Sequence, residues 1–245
     1  MPELGELAAV ALAAEVVDEC PFPHEDEQHN RSNDFSNVPA TLGRRLRGGA
    51  DRNIAVTVRG VGKSMPLAFQ AHHLIPGTSI KHAKKLQALM TAGSEVKGDV
   101  GYDQNDKRNG RWLPALHRFE GWGALSKDGG FEVQFAYAYY AMTTTGRQFH
   151  MGDASHKDYN AFVRRTLEEI RLKVLELHSD CKKCEDRMQK PWDPPYQLVD
   201  QLFDLATRMD GYVTGPTDKW EPPYCTSDYA VLVGQGMTPA RMAGL

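Results

Sequence analysis

Two adjacent histidines, His72 and His73, are the residue types that metal binding and proton transfer need. They follow a short apolar run, residues 65–69, and precede a Pro76-Gly77 break. Because successive side chains of a strand point to opposite faces, the two imidazoles cannot both enter one core. At a strand end both can still reach one site. One histidine could then hold a metal ion while its neighbour takes a proton from water.

Three further side chains could complete such a site. Asn109 stands in a segment rich in turn residues, and His150 and His156 precede or begin a predicted helix. Metal-assisted hydrolysis of a phosphodiester needs a cation, a base that titrates near neutral pH and a group that fixes the tautomer of that base. The position of His156 at the positive end of a helix dipole favours the neutral imidazole, which is the form that binds metals.

The elements that would carry these residues are of mixed type. Strands are predicted at residues 54–58 and 111–114, and helices at 3–19, 79–91, 155–177 and 196–208. The segment 131–137 fits a strand or a helix. We expect the strand that ends in the histidines to pair with 111–114 as a hairpin, with a helical insertion between the two strands. Residues 209–245 are predicted to be irregular.

Charge and hydropathy exclude several classes of protein. The net charge is −3, so a surface that binds phosphate must be a local patch. No apolar run is long enough to span a membrane, and residues 4–17 lack the preceding positive charge of a secretory signal. We expect no stable membrane insertion. The run 60–64 lacks the first glycine of a nucleotide-binding phosphate loop, because that position is Thr57.

The four cysteines suggest a separate metal site. Cys181 and Cys184 form a Cys-x-x-Cys pair, and Cys20 and Cys225 bring the count to that of a structural zinc site. Unpaired thiols are the alternative. We interpret the remaining histidines, His24, His29, His117 and His178, as bystanders, and we expect His82 to lie on a helix surface.

Four segments together resemble a known family of nucleases. They are Ala71-His72-His73-Leu74-Ile75-Pro76, Tyr102-Asp103-Gln104-Asn105 leading to Asn109-Gly110-Arg111-Trp112-Leu113-Pro114, Gln148-Phe149-His150-Met151-Gly152, and His156-Lys157-Asp158-Tyr159. Their types and order resemble the HNH/endonuclease VII superfamily (ββα-metal, or His-Me finger), in the branch named for its Ala-His-His motif and found in bacterial polymorphic toxins.

The resemblance implies a role for each matched residue. His72 would bind the metal ion, His73 would be the general base, and Asn109 would orient that base or brace the hairpin. One or both of His150 and His156 would complete the metal site. Four basic residues flank these segments and could contact phosphates: Lys63, Arg108, Arg111 and Arg147. The ion would be Mg²⁺, Zn²⁺ or Ni²⁺.

The resemblance also implies a fold and a biological role. We expect an α+β protein in which residues 61–180 form a ββα-metal core with helical insertions. Residues 1–60 would supply an N-terminal helix and an irregular segment, and residues 181–245 a partly helical, partly irregular C-terminal extension packed on the core.

The implied activity is metal-dependent cleavage of DNA by an antibacterial effector. Such an effector would be delivered by a secretion-system carrier without a cleaved signal. It would act in the cytoplasm of the target cell and be neutralised by a cognate immunity protein. Two alternatives remain: a ribonuclease of the same fold, and a zinc-stabilised binding module without enzymatic activity.

Overall fold

Short strands and helices of very different lengths make up the described part of the chain. The computed structural model describes residues 20–24, 31–46, 54–57, 64–115, 130–151, 156–185 and 190–244. The strands are β1 (Ala55–Thr57), β2 (Ser64–Pro66), β3 (Ala68–His73) and β4 (Gly110–Ala115). The helices are α1 (Pro39–Arg45), α2 (Gly77–His82), α3 (Lys84–Met90), α4 (Gly130–Thr145), α5 (Lys157–Asp180), α6 (Lys182–Glu185), α7 (Leu198–Thr214), α8 (Asp228–Gly234) and α9 (Pro239–Met242). The predicted α+β class is confirmed.

The four strands form two small sheets. β1 and β2 pair in antiparallel fashion with Val56 opposite Met65, and β3 is hydrogen-bonded to β4 in the second sheet. The pairing of the histidine-bearing strand with residues 111–114 was predicted, and it is confirmed. The helical insertion between them is also present, because α2 and α3 lie between β3 and β4 in the chain.

The longest helix, α5, follows the apolar period read from the sequence. Five residues of the predicted apolar stripe are buried and the sixth, Leu177, is half-buried; the five are Tyr159, Val163, Leu167, Ile170 and Val174. This helix begins at Lys157, and its first buried side chain is that of Tyr159. The predicted cap residue Ser155 and the predicted N-terminal helix 3–19 lie outside the described residues.

Two predicted helices have different limits in the structure. The predicted helix 79–91 is two helices, α2 and α3, separated at Ala83. The Ile80 carbonyl accepts from the backbone N–H of Ala83 at 3.0 Å and from the Gln87 side chain at 3.1 Å. The helix predicted to end at 208 continues to Thr214, because buried Met209 and Val213 extend its apolar face past Gly211.

The segment left open between strand and helix is helical. It forms the first half of α4, where Phe135, Ala136, Tyr137 and Ala138 are all buried. A helix that is buried on most of its circumference shows no 3.6-residue alternation of polar and apolar side chains. The alternation at 131–137 therefore carried no information about the type of element. The tail predicted to be irregular contains the short helices α8 and α9.

Two compact units share the chain, and each is built from three separate segments. The first contains residues 1–38, 73–109 and 160–208, and the second contains residues 39–72, 110–159 and 209–245. The predicted division at residues 60 and 180 concerned consecutive domains. Compactness does not show where a domain folds independently, so those boundaries stay a prediction.

The second unit has an aromatic core. Tyr137 and Tyr229 lie within 6.0 Å of Phe149, measured between ring centroids, and Trp220 is fully buried in the same cluster. The hydroxyl of Tyr137 donates to the carbonyl of Pro66 and accepts from the N–H of Ala68, which fixes β2 and β3 to α4.

Among the described helices, none combines the length and the apolar character that crossing a membrane requires.

Candidate metal and proton-transfer site

Three histidines converge in the second unit. His72 ends β3 with His73, His150 lies in the loop after α4, and His156 immediately precedes α5. One ring nitrogen of each lies within 4.8 Å of those of the other two. Their exposed fractions are 3%, 9% and 4%, so the donor atoms are largely removed from bulk water. The three histidines that the sequence predicted as metal ligands are therefore together in the structure.

The loop that carries His150 is held from both sides. The N–H of His150 donates to the Pro114 carbonyl of β4 at 2.7 Å. Gln148, fully buried, donates to the carbonyls of Tyr212 and Tyr224 and accepts from Thr226. Residues 209–226 thus hold the loop of His150, although they follow it by about sixty residues or more in the sequence.

Tyr159 supports the cluster from the first turn of α5. Its ring centroid lies 5.6 Å from that of His72 and 6.3 Å from that of His156. Burial, and then the charge of Asp210, raise the pKa of Tyr159 well above its ordinary value, so the phenol stays neutral. Tyr159 is three residues after His156, and this spacing on a helix is the sequence signal that could have identified it.

The donor set fits a divalent transition metal. Three neutral imidazoles supply three nitrogen ligands and leave coordination positions open, which is the pattern of catalytic rather than structural sites. Imidazole ligands suit zinc, nickel, copper and iron. The centroid separations of 4.9, 5.5 and 4.8 Å and the edge-to-face orientation of the rings keep the imidazoles from stacking on one another.

The adjacent histidine, His73, has a fixed partner in the first unit. Its Nε2 lies 3.1 Å from Oδ1 of Asn105. The Asn105 amide donates to the carbonyl and hydroxyl of Ser36 at 2.7 and 3.0 Å, so its oxygen is the atom that faces His73. An amide oxygen only accepts, and His73 therefore carries its proton on Nε2 and its basic lone pair on Nδ1.

Burial adjusts His73 for accepting a proton. Its exposed fraction is 6%, and burial lowers its pKa below the ordinary value, an effect that the bond to Asn105 partly offsets. A lowered pKa keeps the ring neutral at neutral pH. A buried, neutral histidine of fixed tautomer has the properties of a general base.

The Asn109 side chain is fully hydrogen-bonded to neighbouring backbone, and the two roles predicted for it stay predictions. Its Oδ1 accepts from the N–H of Ile75 at 2.7 Å, and its amide donates to the Gln104 carbonyl at 2.9 Å. Gln104 in turn donates to the Ile75 carbonyl at 2.6 Å. The residue that contacts the His73 ring is Asn105. Asn105 belongs to one of the segments that resemble the nuclease family, but the sequence analysis predicted no role for it.

The predicted phosphate contacts have protein partners. Arg111 forms a two-point ion pair with Asp210 in the second unit, and Arg108 binds Asp106 and covers the ring of Phe203 in the first. Arg147 donates to the Trp112 carbonyl at 3.2 Å. Lys63 lies outside the described residues. Binding of nucleic acid by these four residues stays a prediction.

Three of the four cysteines meet in the first unit, and the fourth does not join them. Cys20, Cys181 and Cys184 are grouped with His24, with one donor atom of each within 4.8 Å of the others. Cys225 lies in the apolar core of the second unit, where burial raises its pKa to about 12. The predicted set thus needs two corrections: His24 is in the group, and Cys225 is not.

Comparison with known families agrees with this geometry. The profile of the AHH family, a nuclease family of the HNH/endonuclease VII superfamily with a conserved Ala-His-His motif, matches residues 59–190. The match covers more than half of the chain, and the protein belongs to this nuclease family. No curated protein and no solved structure matches the chain.

Proposed function

We propose that this nuclease is a metal-dependent endonuclease that hydrolyses DNA. The observation that supports this most strongly is the convergence of His72, His150 and His156. The residue that follows His72 in the sequence, His73, is a buried histidine whose tautomer is fixed. The proposal includes a ββα-metal core made of β3, β4 and the start of α5, with α2 and α3 as insertions.

The residues have separate tasks in this proposal. His72, His150 and His156 hold the ion, which would stabilise the negative charge that develops on the phosphate and on the leaving oxygen. His73 accepts a proton from the attacking water at Nδ1. Asn105 keeps the Nε2 proton of His73 in place, and Asn109 and Gln104 hold the backbone around Ile75.

Cleavage of supercoiled plasmid tests the proposal directly. We expect purified protein to nick the plasmid with a divalent ion and to lose activity in EDTA. His73→Ala should lower the rate by about 10²–10⁴-fold, the usual contribution of a general base, with metal content unchanged. His82→Ala is the matched control, because His82 is exposed on α2 and has no part in the proposed chemistry. Intact plasmid with Mg²⁺, Zn²⁺, Ni²⁺ and Mn²⁺ would reject DNA cleavage.

The three-histidine ligand set supports a preference among the candidate ions. Three imidazoles favour zinc or nickel over Mg²⁺ in affinity, whereas Mg²⁺ prefers oxygen ligands. We therefore expect Zn²⁺ or Ni²⁺ to bind more tightly than Mg²⁺, as measured by calorimetry on the metal-free protein. Binding of Mg²⁺ alone would point to carboxylate ligands that the described cluster does not contain.

Two other functions make different predictions in the same assay. A ribonuclease of this fold would cleave RNA and leave the plasmid intact, and independence from EDTA would indicate attack by the 2′-hydroxyl. A zinc-stabilised binding module would keep its metal and its function in His73→Ala, since that residue does not belong to the three-histidine cluster.

The proposed biological role is that of an antibacterial toxin. It rests on the family resemblance, and it includes a cognate immunity protein, a secretion-system carrier and action in the cytoplasm of the target cell. Production of the chain inside a bacterial cell should degrade DNA and stop growth, and the His73→Ala protein should not. Growth that is unaffected by an active nuclease would contradict the role.

A further inference from the structure

A second cluster of metal-binding side chains lies in the first unit and has no part in the proposed nuclease chemistry. It consists of Cys20, His24, Cys181 and Cys184. Cys20 and His24 come from the start of the described chain, and Cys181 and Cys184 lie just after α5. The Sγ atoms of Cys20 and Cys184 are 3.4 Å apart, and Sγ of Cys181 is 3.3 Å from Nε2 of His24.

These separations match a tetrahedral zinc site better than a disulfide. With Zn–S bonds of about 2.3 Å and a Zn–N bond of about 2.0 Å, tetrahedral geometry places two sulfurs about 3.8 Å apart, and sulfur and nitrogen about 3.5 Å apart. A disulfide needs sulfurs at about 2.05 Å, and Cys20 and Cys184 are free thiols at a longer distance.

The backbone around Cys181 is shaped for a thiolate ligand. The N–H groups of Lys183 and Cys184 bond to Sγ of Cys181, and the N–H of Cys184 also meets the Cys181 carbonyl at 2.9 Å. This tight turn brings the two sulfurs of the Cys-x-x-Cys pair to one side. Three thiolates on a divalent ion leave one net negative charge, and the exposed side chains of Lys182 and Lys183 lie beside it.

The other chain segment of the cluster is fixed by aromatic packing. The ring of Phe22, between Cys20 and His24, lies 4.4 Å from the ring of His178 and 6.0 Å from that of Trp192. Trp192 is itself joined by backbone hydrogen bonds to Glu95 and Lys97. The segment of Cys20 and His24 is therefore positioned by packing that does not depend on the metal. Cys181 and Cys184 are positioned by their own backbone turn.

We propose that Cys20, His24, Cys181 and Cys184 bind one structural Zn²⁺ ion, which fastens residues 20–24 to the end of α5. The four donors fill a tetrahedral coordination sphere and leave no position for water or substrate, so the site is structural rather than catalytic. This site is independent of the proposed nuclease activity, which uses other residues.

The test uses full-length protein in which His72→Ala and His150→Ala remove the other metal site. We expect this protein to be purified with about one zinc per chain, and a further Cys184→Ser or Cys181→Ser change to reduce the zinc content to roughly a tenth or less, since an incomplete ligand set holds zinc poorly. Cys225→Ala is the matched control and should keep the zinc. Retention of zinc in both serine variants, or a disulfide in place of zinc, would overturn the proposal.

Cobalt substitution tests His24 without removing the metal. In the same background, Co²⁺ should give the thiolate charge-transfer and visible bands of a tetrahedral site. His24→Cys should keep the metal and strengthen the charge-transfer band, because a fourth thiolate replaces an imidazole. An unchanged spectrum would remove His24 from the ligand set. Wild-type protein that cleaves no nucleic acid, together with a positive result in both zinc tests, would reject the proposed function and leave this site in place.

Discussion

At the scale of single residues, the fixed amide of Asn105 determines how His73 can act. Both ends of that amide are engaged, with its nitrogen on Ser36 and its oxygen on His73 and on the N–H of Val38. If the amide were rotated by half a turn, its nitrogen would face the N–H of Val38 and its oxygen would face the Ser36 carbonyl, so these hydrogen bonds would be lost. The orientation of the side chain, and with it the tautomer of the proposed base, is therefore imposed by the surrounding backbone.

The pH dependence of cleavage should report this contact. Burial lowers the pKa of His73, so the wild-type rate should fall only below about pH 6.5, as the ring becomes protonated. In Asn105→Asp an anionic carboxylate would favour the imidazolium, raise this pKa and move the acid limb upward by about one unit or more. The rate at pH 6 should then drop while the rate at pH 8.5 changes less. A kcat/KM profile with the acid limb of the wild type would exclude contact between the two side chains in solution.

The types of the site residues could be predicted from sequence, but their contacts could not. His72, His150 and His156 were identified as candidate metal ligands because their order resembles that of a known family and because imidazole is a common metal ligand. Asn105 was passed over in favour of Asn109, since both lie in one turn-rich segment and only the folded backbone distinguishes them. His24 was interpreted as a bystander because two of the cysteines grouped with it, Cys181 and Cys184, are far away in sequence.

At the scale of elements, β4 is positioned by a close approach to α1. A Cβ atom on Gly110 would lie 2.5 Å from Cδ1 of Leu42, which is fully buried. A side chain at this position would push the helix away from the strand whose Pro114 carbonyl holds His150.

Two glycine substitutions should therefore have opposite effects. Gly110→Ala should lower the free energy of unfolding by about 1–3 kcal/mol, the usual effect of overpacking. Gly211→Ala, inside α7 and with open space around the new Cβ, should raise it by about 0.5–1 kcal/mol. Thermal and denaturant unfolding of the two variants would measure this. Equal effects of the two changes would contradict the close contact at Leu42.

The loop between α4 and α5 carries His150, one of the proposed metal ligands, and Gln148 holds this loop in position. Gln148→Leu would remove the bonds to Tyr212, Tyr224 and Thr226 while keeping the side-chain volume. We expect the affinity of the three-histidine cluster for Zn²⁺ to fall about 10–100-fold, as for other supporting contacts of metal ligands. Calorimetry in a Cys181→Ser background would isolate this site. Gln87→Leu is the control, because Gln87 bonds only within the α2–α3 region.

Element types were predictable where burial is one-sided. The stripe of α5 and the pairing of β3 with β4 follow from periodicity and turn residues. The limits of α2, α3 and α7 did not, because the backbone leaves helical geometry at Ala83 and burial continues beyond Gly211. α4 was ambiguous because most of its surface is buried.

At the scale of the whole molecule, residues 215–244 complete the core of the second unit. They contribute Trp220, Cys225, Tyr229, Ala230 and Val233 to its apolar cluster. Residues 215–244 are therefore part of the unit that holds the three histidines, a role that their sequence did not reveal.

A truncation would test this role. A chain ending after Thr214 should bind an apolar fluorescent dye strongly and lose zinc binding at the three histidines, because Phe149 and Gln148 lose their partners. A chain ending after Met242 removes only exposed or undescribed residues and should behave as wild type. Normal metal binding by the shorter chain would show that the tail is dispensable for the site.

The interleaved order of the segments has a consequence for synthesis. A ribosome releases the chain from its N-terminus, and the second unit draws on residues 39–72, 110–159 and 209–245. Its aromatic core cannot close while Trp220 and Tyr229 are still untranslated. A nascent chain of this protein consequently carries its three histidines beside an incomplete core until residues 209–245 have been synthesised.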